Sequence, residues 1–267
     1  MKNVLVLIHD DAGQEARLQA ALDVVRNLDG HLACLEVAGI SLEQAYPGPE
    51  AAVKIVEREM EGEAANRARL ESRLAREGVA WTMRQAAGTA ADCLVDAAGL
   101  SDLIVLNRQL GETGPDMVGL ATAVLIKARK PVLIVPPDSR GFDLAGPAMI
   151  AWDGSRPAMA AISAAVPLLK LASSVRILEV QGSSHGGVEE AASYLSRHGV
   201  HAEIDLVACF RDARNETSDV IQQMGEQAGC TYVVMGAYGH SPLRETLLGG
   251  VTTRMLADAR MPVFLAH

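Results

Sequence analysis

The sequence predicts an α/β protein built from two tandem, doubly wound, mainly parallel five-stranded sheets, and three observations carry that reading. The strands are continuous apolar runs: Val4–Ile8, Leu103–Leu106 and Val132–Val135 in the first half, Tyr232–Met235 and Pro262–Ala266 in the second. Such runs belong to parallel strands covered by helices on both faces. Ala- and Leu-rich helical segments alternate with them, which makes each half a doubly wound unit with right-handed crossovers. The chain also repeats itself. A shift of 143 lays Val4–Val37 on Pro147–Val180, pairing Asp10 with Asp153 and Leu35-Glu36-Val37 with Leu178-Glu179-Val180. A shift of 131 lays Ala128-Arg129-Lys130-Pro131-Val132 on Ala259-Arg260-Met261-Pro262-Val263, with Gly119 on Gly250, Thr122 on Thr253 and Leu125 on Leu256.

Each element follows from local pattern. The run Gln14–Leu28 aligns Leu18, Ala21, Leu22 and Val25 on one stripe and leaves Arg17 and Arg26 outside it. Glu50–Gly78 carries Glu and Arg at i,i+3 and i,i+4 spacing and reads as a solvated helical face. The counterpart of Gln14–Leu28 in the second half, Ala158–Leu171, is apolar nearly all round and contains Pro167, which removes a helical donor and predicts a kink or a break. Between the halves, Pro136-Pro137-Asp138-Ser139-Arg140-Gly141 and Gly146-Pro147 form a linker, dividing the chain into units 1–138 and 146–267. The last strand of each unit would leave an apolar edge, so the two edges are expected to meet in an intramolecular pseudo-dimer.

Composition excludes several classes. Twenty-four Lys and Arg against 33 Asp and Glu give a net charge of −9, spread evenly over the halves, so neither a nucleic-acid surface nor a polybasic membrane anchor is indicated. Cys34, Cys93, Cys209 and Cys230 stand far apart without a CxxC, which predicts core thiols. The N-terminus lacks the apolar length of a signal peptide, and no run of 18 apolar residues follows, so the expected location is the cytoplasm. His9, Asp10 and Asp11 adjoin on a strand end, where neighbouring side chains point different ways and assemble no metal site. There is no GxxxxGK[ST] loop, GxSxG elbow or HExxH motif, and hence no catalytic apparatus.

The informative segment is Val233-Val234-Met235-Gly236-Ala237-Tyr238-Gly239-His240-Ser241-Pro242, followed by Leu248-Gly249-Gly250-Val251-Thr252-Thr253. It follows a buried strand, where doubly wound sheets bind ligands. Gly236 and Gly239 are expected at positive φ, where the missing Cβ lets an anion reach main-chain N–H groups; Gly249 and Gly250 do the same ahead of a helix, unless all four merely make turns. Thr252 and Thr253 add hydroxyls. His240 and Arg244 are the nearby cations for a phosphate, and Asp153 is the acid that can orient a ribose or a hydrated metal ion.

The spacing Gly236, two residues, Gly239, nine residues, Gly249 resembles the phosphate-binding pattern of the universal stress protein family. The strand end Asp153-Gly154-Ser155 and the closing Met261-Pro262-Val263 extend the resemblance, which covers the whole chain as two tandem family domains with an adenine nucleotide α-hydrolase-like, Rossmann-like fold. It implies a stress-response protein that binds ATP, with or without magnesium, or a related adenine nucleotide as a regulatory ligand. By position, Ala151, Trp152, Asp153 and Val180 would line the adenosine side, and Gly236, Gly239, Gly249, Gly250, Val251 and Thr252 the ribose and phosphates. Trp152 either stacks on a base or fills its space. Gly250 stands where the family has a hydroxyl residue. In the first half, Asn107, Leu110 and Val118 replace the glycines, so that half is expected to have lost the site. The alternatives are an interaction module of the same fold that binds no nucleotide, a slow nucleotide hydrolase, and further association as a homodimer.

Overall fold

The computed structural model describes residues 1–38, 49–108, 117–181, 187–208, 213–239 and 250–267. Ten strands form one sheet in the order β3-β2-β1-β4-β5-β10-β9-β6-β7-β8. They are β1 Asn3–Ile8, β2 His31–Ala38, β3 Ala80–Ala87, β4 Leu103–Asn107 and β5 Val132–Val135, then β6 Ala148–Trp152, β7 Val175–Gln181, β8 Ala202–Ala208, β9 Tyr232–Gly236 and β10 Val263–Ala266. Within each half every pairing is parallel. At the centre β5 meets β10 antiparallel, with Leu133 opposite Phe264, so the two apolar edges cover each other. The strand order reads the same from either end of the sheet, so the halves are related by a local two-fold axis through that joint.

Eight α-helices cover the sheet: α1 Gln14–Leu28, α2 Pro49–Leu74, α3 Ala90–Ala97, α4 Met117–Ala123, α5 Arg156–Leu169, α6 Val188–Arg197, α7 Ala213–Gln227 and α8 Gly250–Asp258. A π-helical turn, Val124–Ala128, continues α4. Because strand side chains alternate, each strand supplies both cores. Val4, Val6, Ile8, Ile150, Val234 and Phe264 join α1, α5 and α6 in one cluster, while Leu5, Leu7, Met149, Val233 and Leu265 join α3, α4 and α8 in the other. Both cores run unbroken from one half into the other.

Three sequence expectations need correction. Pro167 does not break α5; it sits in the last turn, and the helix stops at Leu169, so the missing N–H costs a single bond near an end. The far part of α2 is not simply solvated. Arg67 clasps the buried Glu36 of β2 through two bonds of 2.6 and 2.7 Å, Asn66 and Gln14 exchange amide hydrogen bonds, and Arg73 reaches Glu15 and Glu77. Arg17, expected outside the apolar stripe of α1, is instead wholly buried.

The connection from β5 to β6 is pinned from both sides. Asp23 of α1 accepts from the Phe142 N–H at 2.9 Å, and the Phe142 ring stands edge-on to Tyr232 at 5.1 Å. Cys34, Cys93 and Cys230 are buried free thiols; Cys209 lies outside the described residues. Among the described residues no helix is long and apolar enough to cross a membrane.

Candidate functional site

In an open α/β sheet the crevice opens where the strand order reverses. In the second half that point lies between β6 and β9, so the residues following Trp152 and Gly236 face each other across it. After β6 the chain turns at Gly154, whose φ of 73° favours glycine. Asp153 Oδ1 accepts from the Ser155 N–H at 2.9 Å, and Ser155, as N-cap, accepts from the Ala158 N–H at 3.2 Å, which aims the start of α5 at the crevice.

Gly236 and Gly239 meet this loop for a reason other than the one expected. Neither has a positive φ; the left-handed residue of the loop is Tyr238, at 58°. What both positions need is space. A Cβ on Gly236 would stand 2.4 Å from the Ala158 nitrogen and 2.7 Å from the Pro157 carbonyl carbon, and one on Gly239 2.9 Å from Ser155 Oγ and 3.4 Å from Asp153 Oδ2. Glycine thus brings the strand end and the Gly239 main chain against the head of α5.

The other predicted residues divide between the two sheet faces and the rim. Trp152 is buried in the α5-side core, which leaves its main chain to border the crevice, and Val180 is buried on the opposite face, beside Ala151. Val251 packs on that same face from α8. Thr252 is buried and accepts from the Tyr238 N–H at 3.3 Å, so its hydroxyl braces the loop. Gly250 opens α8. Gly249, His240 and Arg244 lie outside the described residues, as do Leu110, Gly111 and Gly114 of the first half.

The equivalent crevice of the first half, between β1 and β4, is filled. Arg17, placed outside the apolar stripe by pattern, is wholly buried and turned inward. Its Nε donates to the Leu7 carbonyl at 2.6 Å, its Nη2 to Asp11 at 2.8 Å and the His9 carbonyl at 3.3 Å, and its Nη1 to Asn107. Asn107 donates in turn to the Val135 carbonyl at 3.0 Å. Asn107 ends β4 as Gly236 ends β9, and the glycine needed for close approach has moved to the helix: a Cβ on Gly13, the N-cap of α1, would stand 2.8 Å from Asn107 Oδ1.

The structural counterpart of Asp153 is Asp11, not Asp10, since it is Asp11 Oδ1 that accepts from the N-cap N–H, at 2.7 Å. Asp10 pairs with Arg69 at 2.9 Å, and His9 Nδ1 lies 2.7 Å from Glu63 Oε1. The three neighbours do point three ways. Burial raises the Glu63 pKa, but the His9 hydrogen bond and charge, with help from the Asp10 N–H and Asn66, outweigh it and hold the carboxyl below its ordinary value. No group of three His, Cys, Asp or Glu among the described residues is placed to hold a metal ion.

No family model matches the chain. It is 26% identical over 184 residues to the universal stress protein Slr1230 of Synechocystis, an alignment spanning 64% of this chain and 60% of that one. Among solved structures, a universal stress protein from Archaeoglobus fulgidus matches with a TM-score of 0.74 at 15% identity, covering 99% of this chain and 95% of its own. A putative universal stress protein from Pseudomonas aeruginosa matches with a TM-score of 0.62 at 17% identity, covering 100% and 93%. At such identities the structures establish the fold, and both share it over the full tandem length.

Proposed function

We propose that the chain is a tandem member of the universal stress protein family, which its sequence likeness and fold support, and that its second half, within the unit 146–267, binds ATP or a related adenine nucleotide as a regulatory ligand. The observation that carries this reading is the contrast between two equivalent crevices. In the unit 1–138 the space at the strand ends is taken by a guanidinium, a carboxylate and an amide that satisfy one another. At the corresponding place the second half has Gly154, Gly236 and Gly239, a helix N-terminus and the Asp153 carboxylate. Backbone N–H groups, a helix dipole and closely approached glycines suit a phosphate, and a carboxylate suits a ribose hydroxyl.

In this reading Ala151, Val180 and the main chain of Trp152 border the adenosine, Asp153 holds the ribose, and Gly236, Gly239, Gly249, Gly250, Val251 and Thr252 surround the phosphates. Magnesium, if it accompanies the nucleotide, would meet Asp153. Titration calorimetry with ATP, with and without magnesium, should find one site per chain, and Gly239→Val should remove it by driving a branched side chain into Ser155. Failure of the unaltered protein to bind any adenine nucleotide, together with none released on denaturation, overturns the reading in favour of an interaction module.

A further inference from the structure

Tyr238 occupies a left-handed backbone conformation, with φ 58°, in the loop between Gly236 and Gly239. For a residue with a bulky side chain this conformation is unfavourable and persists only where its surroundings enforce it. Groups from α8, β10 and α4 enforce it here. The Tyr238 N–H donates to Thr252 Oγ1 of α8 at 3.3 Å. The preceding residue is fixed by β10, since the Ala237 N–H donates to the Ala266 carbonyl at 2.8 Å and the His267 ring lies 2.9 Å from the Ala237 carbonyl. A further contact comes from the other half of the chain: the Tyr238 hydroxyl lies 2.5 Å from Thr122 Oγ1 on α4.

The direction of that bond follows from proton count. Thr122 has one hydroxyl proton and donates it to the Val118 carbonyl one turn back, at 2.6 Å. Its oxygen therefore accepts from Tyr238, and the tyrosine ring is held at both ends, by its own backbone and by a hydroxyl already locked to α4. Thr253, which the internal repeat lays over Thr122, has a buried hydroxyl with no hydrogen-bond partner among the described residues. The two-fold relation between the halves is broken at this pair, with the first half bracing the loop of the second.

We infer that Tyr238 and Thr122 are positioning residues for the proposed nucleotide site: helix α4 of the half whose own crevice is filled holds the glycine loop of the other half in its ligand-ready shape. The inference rests on the nucleotide reading of that loop, and it adds that occupancy is communicated between halves. Coupling is reciprocal, so a ligand that needs the left-handed conformer must also tighten α4.

The test uses the full chain with Thr122→Val, Tyr238→Phe, the double variant and Thr122→Ser. Both single variants keep the shape and lose the bond. Amide exchange by mass spectrometry should speed up in peptides covering Ala237–Gly239 in either variant, and ATP affinity measured by calorimetry should fall about three- to tenfold, the range one hydrogen bond covers. The double variant should bind no worse than either single one, because the same bond is lost, and Thr122→Ser should bind like the unaltered chain. Addition of ATP should slow exchange in α4, and this effect should vanish in Thr122→Val. Unaltered loop exchange in Thr122→Val overturns the brace, as does a double variant whose losses add. If the unaltered protein binds no adenine nucleotide, the functional reading fails, while the exchange of the loop in Thr122→Val still decides whether α4 holds it.

Discussion

Replacing Arg17 with Met should cost the protein about 3–5 kcal/mol, the usual penalty for removing one member of a buried ion pair. The Arg17 side chain is 0% exposed and that of Asp11 4%, so solvent screens neither. Met retains most of the aliphatic stem, so little packing is lost. What disappears is the donor set for Asp11, Asn107 and the Leu7 carbonyl, leaving a buried carboxylate without its cation. Urea denaturation followed by circular dichroism at neutral pH measures the change. The companion Arg17→Met/Asp11→Asn removes both charges while keeping an oxygen for the Gly13 N–H, and it should recover a large part of the loss, because a buried pair replaced by neutral groups is often close to neutral in stability. A loss below about 1 kcal/mol in the single variant, or a double variant less stable than the single, would refute the view that the guanidinium and carboxylate fill this crevice as a mutually satisfied unit.

Four further outcomes are expected. Tyr232 is fully buried and its hydroxyl has no partner, so Tyr232→Phe should leave stability unchanged or raise it by about 1 kcal/mol in thermal denaturation. Gly236→Ala should destabilise by about 1–3 kcal/mol because its Cβ meets the α5 backbone, whereas Gly239→Ala meets the side chains of Ser155 and Asp153 and should weaken ATP binding more than it lowers the melting temperature. Burial pushes the Cys34 thiol up to about 12, so a chromogenic disulfide reagent at pH 8 should leave it unmodified until the chain is unfolded; rapid native labelling, mapped by mass spectrometry, would contradict this. Since Glu63 is held below its ordinary value of 4.5, its ion pair stabilises above that pH and fails as pH falls through the lower folded value; Glu63→Gln should flatten the acid limb of a stability–pH curve.

Much of the fold was legible because its signals are local. Continuous apolar strands, helix α1 to both ends and the edge-pairing of the last strands all follow from runs of a few residues. Arg17 was misread because helical pattern treats arginine as an outward residue, and only the fold brings Asn107, ninety positions away, to meet it. Aligning Asp10 with Asp153 missed by one residue because the loop entering α1 is longer than the loop entering α5, and no gapless repeat registers such a change. The glycines were found by spacing, but their reason was not: close approach to Ala158 and Ser155 depends on how α5 lies across the strand ends. Tyr238 carried no signal, since a strained backbone on a tyrosine is recognisable only beside the groups that enforce it.

The antiparallel joint between β5 and β10 has a consequence for how such a molecule diversifies. Two identical chains meeting along this seam would share every substitution, and a residue that plugged one crevice would plug both. Carrying the two copies on one polypeptide frees each to change alone. One crevice can close around an arginine and become a fixed wedge, and the helix beside it can brace its neighbour, while the other keeps its glycines. Duplication thus turns a symmetric pair into one half with a filled crevice and one that keeps its glycines, joined by the seam and by the Tyr238–Thr122 contact.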